Sequence, residues 1–292
     1  MWLNFVSRVL NNSNSMKGNV TMTKINLIIL VLTLSACGAK SGDQSSAEHI
    51  DLESIASRME TGMGDQCSEH FVFGLPAYRD KVLTTICHQG YLIAFDEQSK
   101  IPRYTSHEIT INNTLIYVDR LASYVFNKDP SINEFSQANS KDYYGSGYDR
   151  GHMQAWGDSS LLEEALESNY YTNIVPQLPA LNRGVWLNLE KAIRSYVLKT
   201  SNDIFVITGA IEGNTYIGNN VEVPNGFFKV LYDPHNEKMT AYVVFQHDVL
   251  TKPLNEYSLS VDELELLIGI DLYPKMEQFK QETLESSILW KL

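Results

Sequence analysis

His152 sits near the end of the run Asp149-Arg150-Gly151-His152-Met153, and about thirty residues later comes Leu181-Asn182-Arg183-Gly184-Val185-Trp186-Leu187-Asn188-Leu189-Glu190. An imidazole with an ordinary pKa near ~6.5 takes a proton from water at neutral pH. A hard divalent cation such as Mg2+ prefers oxygen ligands and keeps most of its waters, so one amide oxygen from protein suffices to hold it. The guanidinium of Arg150 suits a phosphate, which it grips through two parallel hydrogen bonds. These are the parts that phosphodiester cleavage requires: an activated water, charge stabilisation on phosphorus, and help for the leaving oxygen. On residue types alone they describe a hydrolytic site and nothing narrower.

The elements that must position these side chains follow from patterning. Val185, Leu189, Ile193 and Val197 recur at steps of four and predict an amphipathic helix over 181–198. On a regular helix Asn182, Trp186 and Glu190 share one side to within about 80°. Gly145-Ser146-Gly147-Tyr148 gives a flexible approach to a short strand, in which Gly151 leaves room for substrate backbone. Asp149, one residue from Arg150 on that strand, faces away from it and is expected to bond backbone.

Elsewhere, Tyr91 to Phe95 and Ile204 to Gly209 read as strands, and 110–121 holds a further apolar stretch. Phe227 to Tyr232 and Met239 to Phe245 flank Asp233-Pro234-His235-Asn236 as a hairpin. Asp158-Ser159-Ser160 is expected to cap a helix through Glu167, and Ser260 one that Gly269 ends. The elements mix without βαβ alternation. The fold class expected is α+β, a largely antiparallel central sheet flanked by helices.

Residues 22–37 carry Lys24, an apolar run from Ile25 to Leu34, and small residues before Cys37. The run is short for ~30 Å of hydrocarbon and reads as a cleaved signal. Leu34-Ser35-Ala36-Cys37 resembles a bacterial lipobox, with Cys37 lipidated; ordinary secretion is the alternative. The expected organisation is an upstream extension and signal over 1–36, a flexible polar tether over 37–60, and one domain over 61–292. The location expected is exported, in the periplasm or on the outer membrane through a lipid anchor at Cys37. In an oxidising compartment Cys67 and Cys87 would form a disulfide, with two free thiols as the alternative. The remaining histidines are read as core or surface residues, and Trp186 as core.

The net charge of −12 runs against polyanion binding, so a local basic cluster or a metal ion must offset it.

The Asp-Arg-Gly-His-Met run resembles the signature of the DNA/RNA non-specific endonucleases, the ββα-metal group that includes mitochondrial endonuclease G. The likeness continues through Asn169-Tyr170-Tyr171-Thr172-Asn173-Ile174-Val175-Pro176-Gln177 and the segment from Leu181 to Glu190. Later landmarks follow in Val206 to Gly209, Val223-Pro224 with Phe227 to Val230, and Gly269 to Pro274, so the resemblance covers roughly 65 to 275. It implies a ββα-metal motif and a Mg2+-dependent endonuclease acting on DNA and RNA without strong sequence specificity, with Mn2+ as an alternative ion. It further implies His152 as general base, Asn182 as metal ligand, Glu190 on the ion's water shell and Arg150 at the scissile phosphate. Asn173 and Asn169 would be polar groups at the substrate, and the products would carry 5′-phosphate ends. Some members place an arginine upstream of the Asp-Pro step; here Lys128 and Arg120 are the candidates to replace it. The competing readings are a nucleic-acid or partner-binding lipoprotein with little turnover, and a phosphodiesterase for small esters.

Overall fold

The β-branched run at the centre of the chain becomes a buried strand because every neighbour along it is also a strand. The computed structural model describes residues 65–292 apart from 77, 79, 80, 122, 248–251, 289 and 291, and all of them fall in the unit Leu52–Leu292. The strands are β1 (Thr84–Cys87), β2 (Leu92–Asp96), β3 (Ile101–Ile109), β4 (Asp149–His152), β5 (Ile174–Gln177), β6 (Ile204–Ile211), β7 (Thr215–Ile217), β8 (Val221–Val223), β9 (Gly226–Asp233), β10 (Lys238–Phe245) and β11 (Ser258–Leu259). Seven of them form one antiparallel sheet in the order β1-β2-β3-β6-β9-β10-β11. The α+β class and the antiparallel centre are as expected.

Both faces of the sheet are covered, so its strands read as apolar runs rather than strict alternation. On β9, Phe227 and Leu231 enter one core cluster while Phe228, Val230 and Tyr232 enter the other. The first face meets α2 (Leu187–Thr200) through Leu189, Ile193 and Val197; α1 (Leu162–Glu167) precedes it in the chain. The second meets α3 (Val261–Ile268), where the Ser260 side chain accepts from Glu263 N and Gly269 ends the helix at φ +72°.

Four expectations need correction. The helix over 181–198 is not regular: Leu181–Trp186 is a π-turn with Gly184 at φ −106°, ψ −110°, and α2 begins after it. That irregularity turns Trp186 into the core against Phe227, away from the side that Asn182 and Glu190 share. Asp158 caps no helix; the Glu164 carboxylate accepts from Ser160 N and Leu161 N in its place. The stretch 110–121 forms only a short helix, Ile111–Leu115, and the long strand is β3 just before it.

Two cross-links tie the frame. Arg103, 1% exposed, donates to Asp96 and Glu222, the latter carried by β8. Cys67 and Cys87 are joined as a disulfide with Cα atoms 5.8 Å apart, the outcome expected of the two alternatives. The signal-like run 22–37, Cys37 and the tether 37–60 lie outside the described residues.

Candidate active site

The hairpin-like pair β4 and β5, followed by the π-turn and α2, makes a ββα unit in which the residues of interest converge. Asp149 pairs with Gln177, Arg150 with Pro176, Gly151 with Val175 and His152 with Ile174. A Cβ at Gly151 would collide with the Gln177 side chain. The packing of Gln177 on β5 is thus a reason for glycine here that the sequence did not suggest.

His152, Arg150, Asn182 and Glu190 line a single cleft of about 460 Å3, together with Asp149, Arg120, Arg183 and Arg194. His152 is half-buried and its ring lies 5.4 Å from that of Phe126. Its Nε2 is 2.9 Å from Asn169 Oδ1. An amide oxygen only accepts, so Nε2 carries the proton and Nδ1 keeps the lone pair. Burial first, and then the charge of Arg120, push the imidazole down to about 4, so it is neutral at pH 7.

Asn182 donates from Nδ2 to Asp149 Oδ2 at 3.0 Å. With its nitrogen held there, the side chain has its carbonyl oxygen left for a cation. Asp149, expected from its strand position to bond backbone, bonds side chains instead. It accepts from Asn182 at 3.0 Å and twice from Arg183, at 2.8 and 2.6 Å, and these bonds outweigh burial to hold it below the usual carboxylate range. Glu190 is half-buried, and burial pushes it up to about 7 against the opposing charge of Lys229. A carbonyl oxygen and a carboxylate on one cleft are the hard donor set that fits Mg2+.

The cleft carries four arginines against two acids, Asp149 and Glu190. This local excess answers the acidic balance of the whole chain. Arg150 stacks over Phe126 at 4.4 Å, and Arg120 lies 5.9 Å from the same ring and 5.5 Å from that of Trp156. Burial and the charge of Arg150 together depress Arg120, so two guanidiniums crowd where an anion would relieve both. Lys128, the other candidate for the upstream basic residue, is tied to the Glu134 carbonyl at 2.6 Å and does not line the cleft.

Asn169 and Asn173, expected at the substrate, are both fully buried and lie behind the cleft. Asn169 holds the imidazole; Asn173 donates to the Gln154 and Ser168 carbonyls and accepts from Gln154 N, which joins β5 to the end of β4. Patterning missed Arg194, although its position four residues after Glu190 on the same helix face was a usable signal. It pairs with Asp158 at 2.6 Å, and Asp158 also meets the buried His107 at 3.2 Å. Lys229 lies within the landmark Phe227 to Val230. It is 1% exposed, faces the cleft side of β9, and donates to Thr208 Oγ1 at 2.7 Å. No sequence signal distinguishes it from a surface lysine, because only the sheet register buries it.

A family described as DNA/RNA non-specific endonuclease has a model that matches residues 67–279. Nuclease C1 of Cunninghamella echinulata var. echinulata is 30% identical over 209 residues, covering 65% of this chain and 82% of its own length. Mitochondrial nuclease EXOG of Danio rerio is 29% identical over 231 residues, covering 70% of this chain and 64% of its own length. The crystal structure of an EndoG/EndoGI complex, which concerns EndoG inhibition, superposes with a TM-score of 0.60 at 26% identity, over 71% of this chain and 91% of that one. These relatives overturn the expected location. EXOG, endonuclease G and a Schizosaccharomyces pombe nuclease are mitochondrial by name, not lipoproteins of a bacterial envelope.

Proposed function

The chain belongs to the DNA/RNA non-specific endonuclease family and is a nuclease, a phosphodiester hydrolase; from that premise we propose that His152 is its general base and Asn182 its metal ligand, cutting both DNA and RNA with little sequence preference. One observation carries this reading: the imidazole, the amide and the Glu190 carboxylate line the same cleft, among four arginines. The nuclease domain is assigned to 61–292, which contains the family match.

With Nε2 held by Asn169, Nδ1 of His152 is the atom that takes a proton from a water in line with phosphorus. The imidazole needs no prior deprotonation at neutral pH. Arg150 and Arg120 grip non-bridging phosphate oxygens, and Phe126 keeps both guanidiniums in place. Asn182 would hold Mg2+, or Mn2+ in its stead, through its free carbonyl oxygen, with Asp149 fixing the amide. Glu190 would accept hydrogen bonds from the ion's water shell. When bound, such an ion would supply stabilisation of the negative charge at phosphorus and on the leaving 3′ oxygen, the polarity of cleavage that gives 5′-phosphate ends. Arg194 sits one turn beyond Glu190, where its charge reaches the same phosphate.

Plasmid nicking and single-stranded RNA cleavage with Mg2+ and with chelator test the reading. Cleavage of both polymers that chelator abolishes, with ends that a ligase accepts, is the result expected. Cleavage unaffected by chelator, or 3′-phosphate ends, would overturn it.

A further inference from the structure

A second cavity, of about 530 Å3, opens between α3 and the C-terminal π-turn Gln281–Glu285. Asp262, Glu265 and Glu285 each present a carboxylate oxygen to it, all within 4.8 Å of one another. Asp262 and Glu265 stand three apart on α3, so they share a face of the helix. Asp271 and Glu282 also line the cavity, and none of its lining residues is basic. Acidic clusters on a surface are commonplace, and this alone would mean nothing.

The second observation is the burial of Glu285. It is 3% exposed, and its Oε1 has no hydrogen-bond partner. The nearby Tyr273 hydroxyl is buried and unpartnered as well. A buried carboxylate oxygen without a donor costs several kcal/mol unless a cation or proton satisfies it. The charges acting on Glu285 are those of Glu265, Asp262 and Asp271, and each repels. Glu265 gains only one relief, the Leu272 N–H at 2.7 Å.

We propose that Asp262, Glu265 and Glu285 form a binding site for a divalent cation of calcium's size, separate from the catalytic cleft. Oxygens on opposite sides of Ca2+ lie up to about 5 Å apart, so three carboxylates gathered within 4.8 Å of one another fit around one such ion. The ion would join α3 to the C-terminal segment across twenty residues of chain and so fasten the end of the chain to the sheet.

The test is calorimetric titration of the full chain with CaCl2 at pH 8, beside thermal unfolding with and without about 10 mM CaCl2, which is well above the weak end of protein calcium sites. Wild type should bind Ca2+ and unfold about 2–4 °C higher or more in its presence. Glu285→Gln removes a repelling charge without changing shape, so it should fold at least as stably and lose the calcium-dependent rise. Asp262→Asn, at an exposed position, should weaken binding about tenfold or more. Nicking activity should be unchanged in both variants. A calcium response equal in wild type and Glu285→Gln, or none in wild type, would overturn the site.

Discussion

Asp149 Oδ2 accepts a hydrogen bond from Asn182 Nδ2 at 3.0 Å, and this bond decides which end of the Asn182 amide faces the cleft. Arg183 holds the same carboxylate from the other side. The first residue of the Asp-Arg-Gly-His run thereby acts on a residue 33 positions later. Asp149→Ala frees the amide to rotate and should lower apparent Mg2+ affinity about 10–100-fold, with kcat largely restored at saturating metal. A metal titration of nicking activity reads this; an unchanged half-saturation point would show that the bond has no such role.

Of the two candidates for the upstream basic residue, Arg120 lines the cleft and Lys128 does not. Arg120→Ala should raise KM and reduce the slope of log affinity against log salt by about 1. Lys128→Ala, which removes a group tied to Glu134, should alter neither. Steady-state kinetics across a salt series compares the two, and the opposite pattern would exchange their assignments.

Asp129 anchors the segment that carries Phe126 into the cleft. It accepts from His88 at 3.0 Å and from Thr172 at 2.6 Å, and these bonds, opposing burial, hold it down to about 2. A carboxylate depressed on folding contributes stability above its unfolded pKa and loses it as pH falls. The contribution here is full above about pH 4 and gone near pH 2, worth about 2 kcal/mol. Asp129→Asn should therefore be destabilised by that amount at pH 7, with the gap to wild type narrowing below pH 4. Urea unfolding at both pH values checks it; a gap independent of pH would rule out the charge as the cause.

The Cys67–Cys87 disulfide closes a loop of twenty residues beside β1 and β2. Reduction should cost about 3 kcal/mol of stability through the entropy regained by the unfolded chain. Thermal unfolding with and without reductant measures this, and identical midpoints would mean that the bond does not stabilise the fold.

Patterning reached the elements whose local and global preferences agree. Ile204 to Gly209, the hairpin around Asp233 and the helix between Ser260 and Gly269 all needed only β-branching, turn residues or caps. It missed β3, whose Arg103, Ser106 and His107 look like surface residues and are buried only because Glu222, the His70 carbonyl and Asp158 come to meet them from afar. It read Trp186 rightly as core but set it on one side with Asn182 and Glu190, because a π-turn adds a residue that a regular period cannot anticipate. Of the site, His152, Arg150, Asn182 and Glu190 were legible through a known motif. Asn169 as the holder of the imidazole, and Arg194 and Lys229 around Glu190, depend on contacts between distant elements, which spacing does not record.

The central claim is that His152 and Asn182 serve one phosphate in separate roles. The most direct measurement pairs His152→Ala with Asn182→Ala, reading Mg2+ binding by calorimetry and turnover by plasmid nicking. The account predicts that His152→Ala binds the ion as wild type does yet nicks at least 100-fold more slowly, the scale of a lost general base, whereas Asn182→Ala loses the binding itself. Near-wild-type nicking by His152→Ala, or undiminished binding by Asn182→Ala, would contradict it.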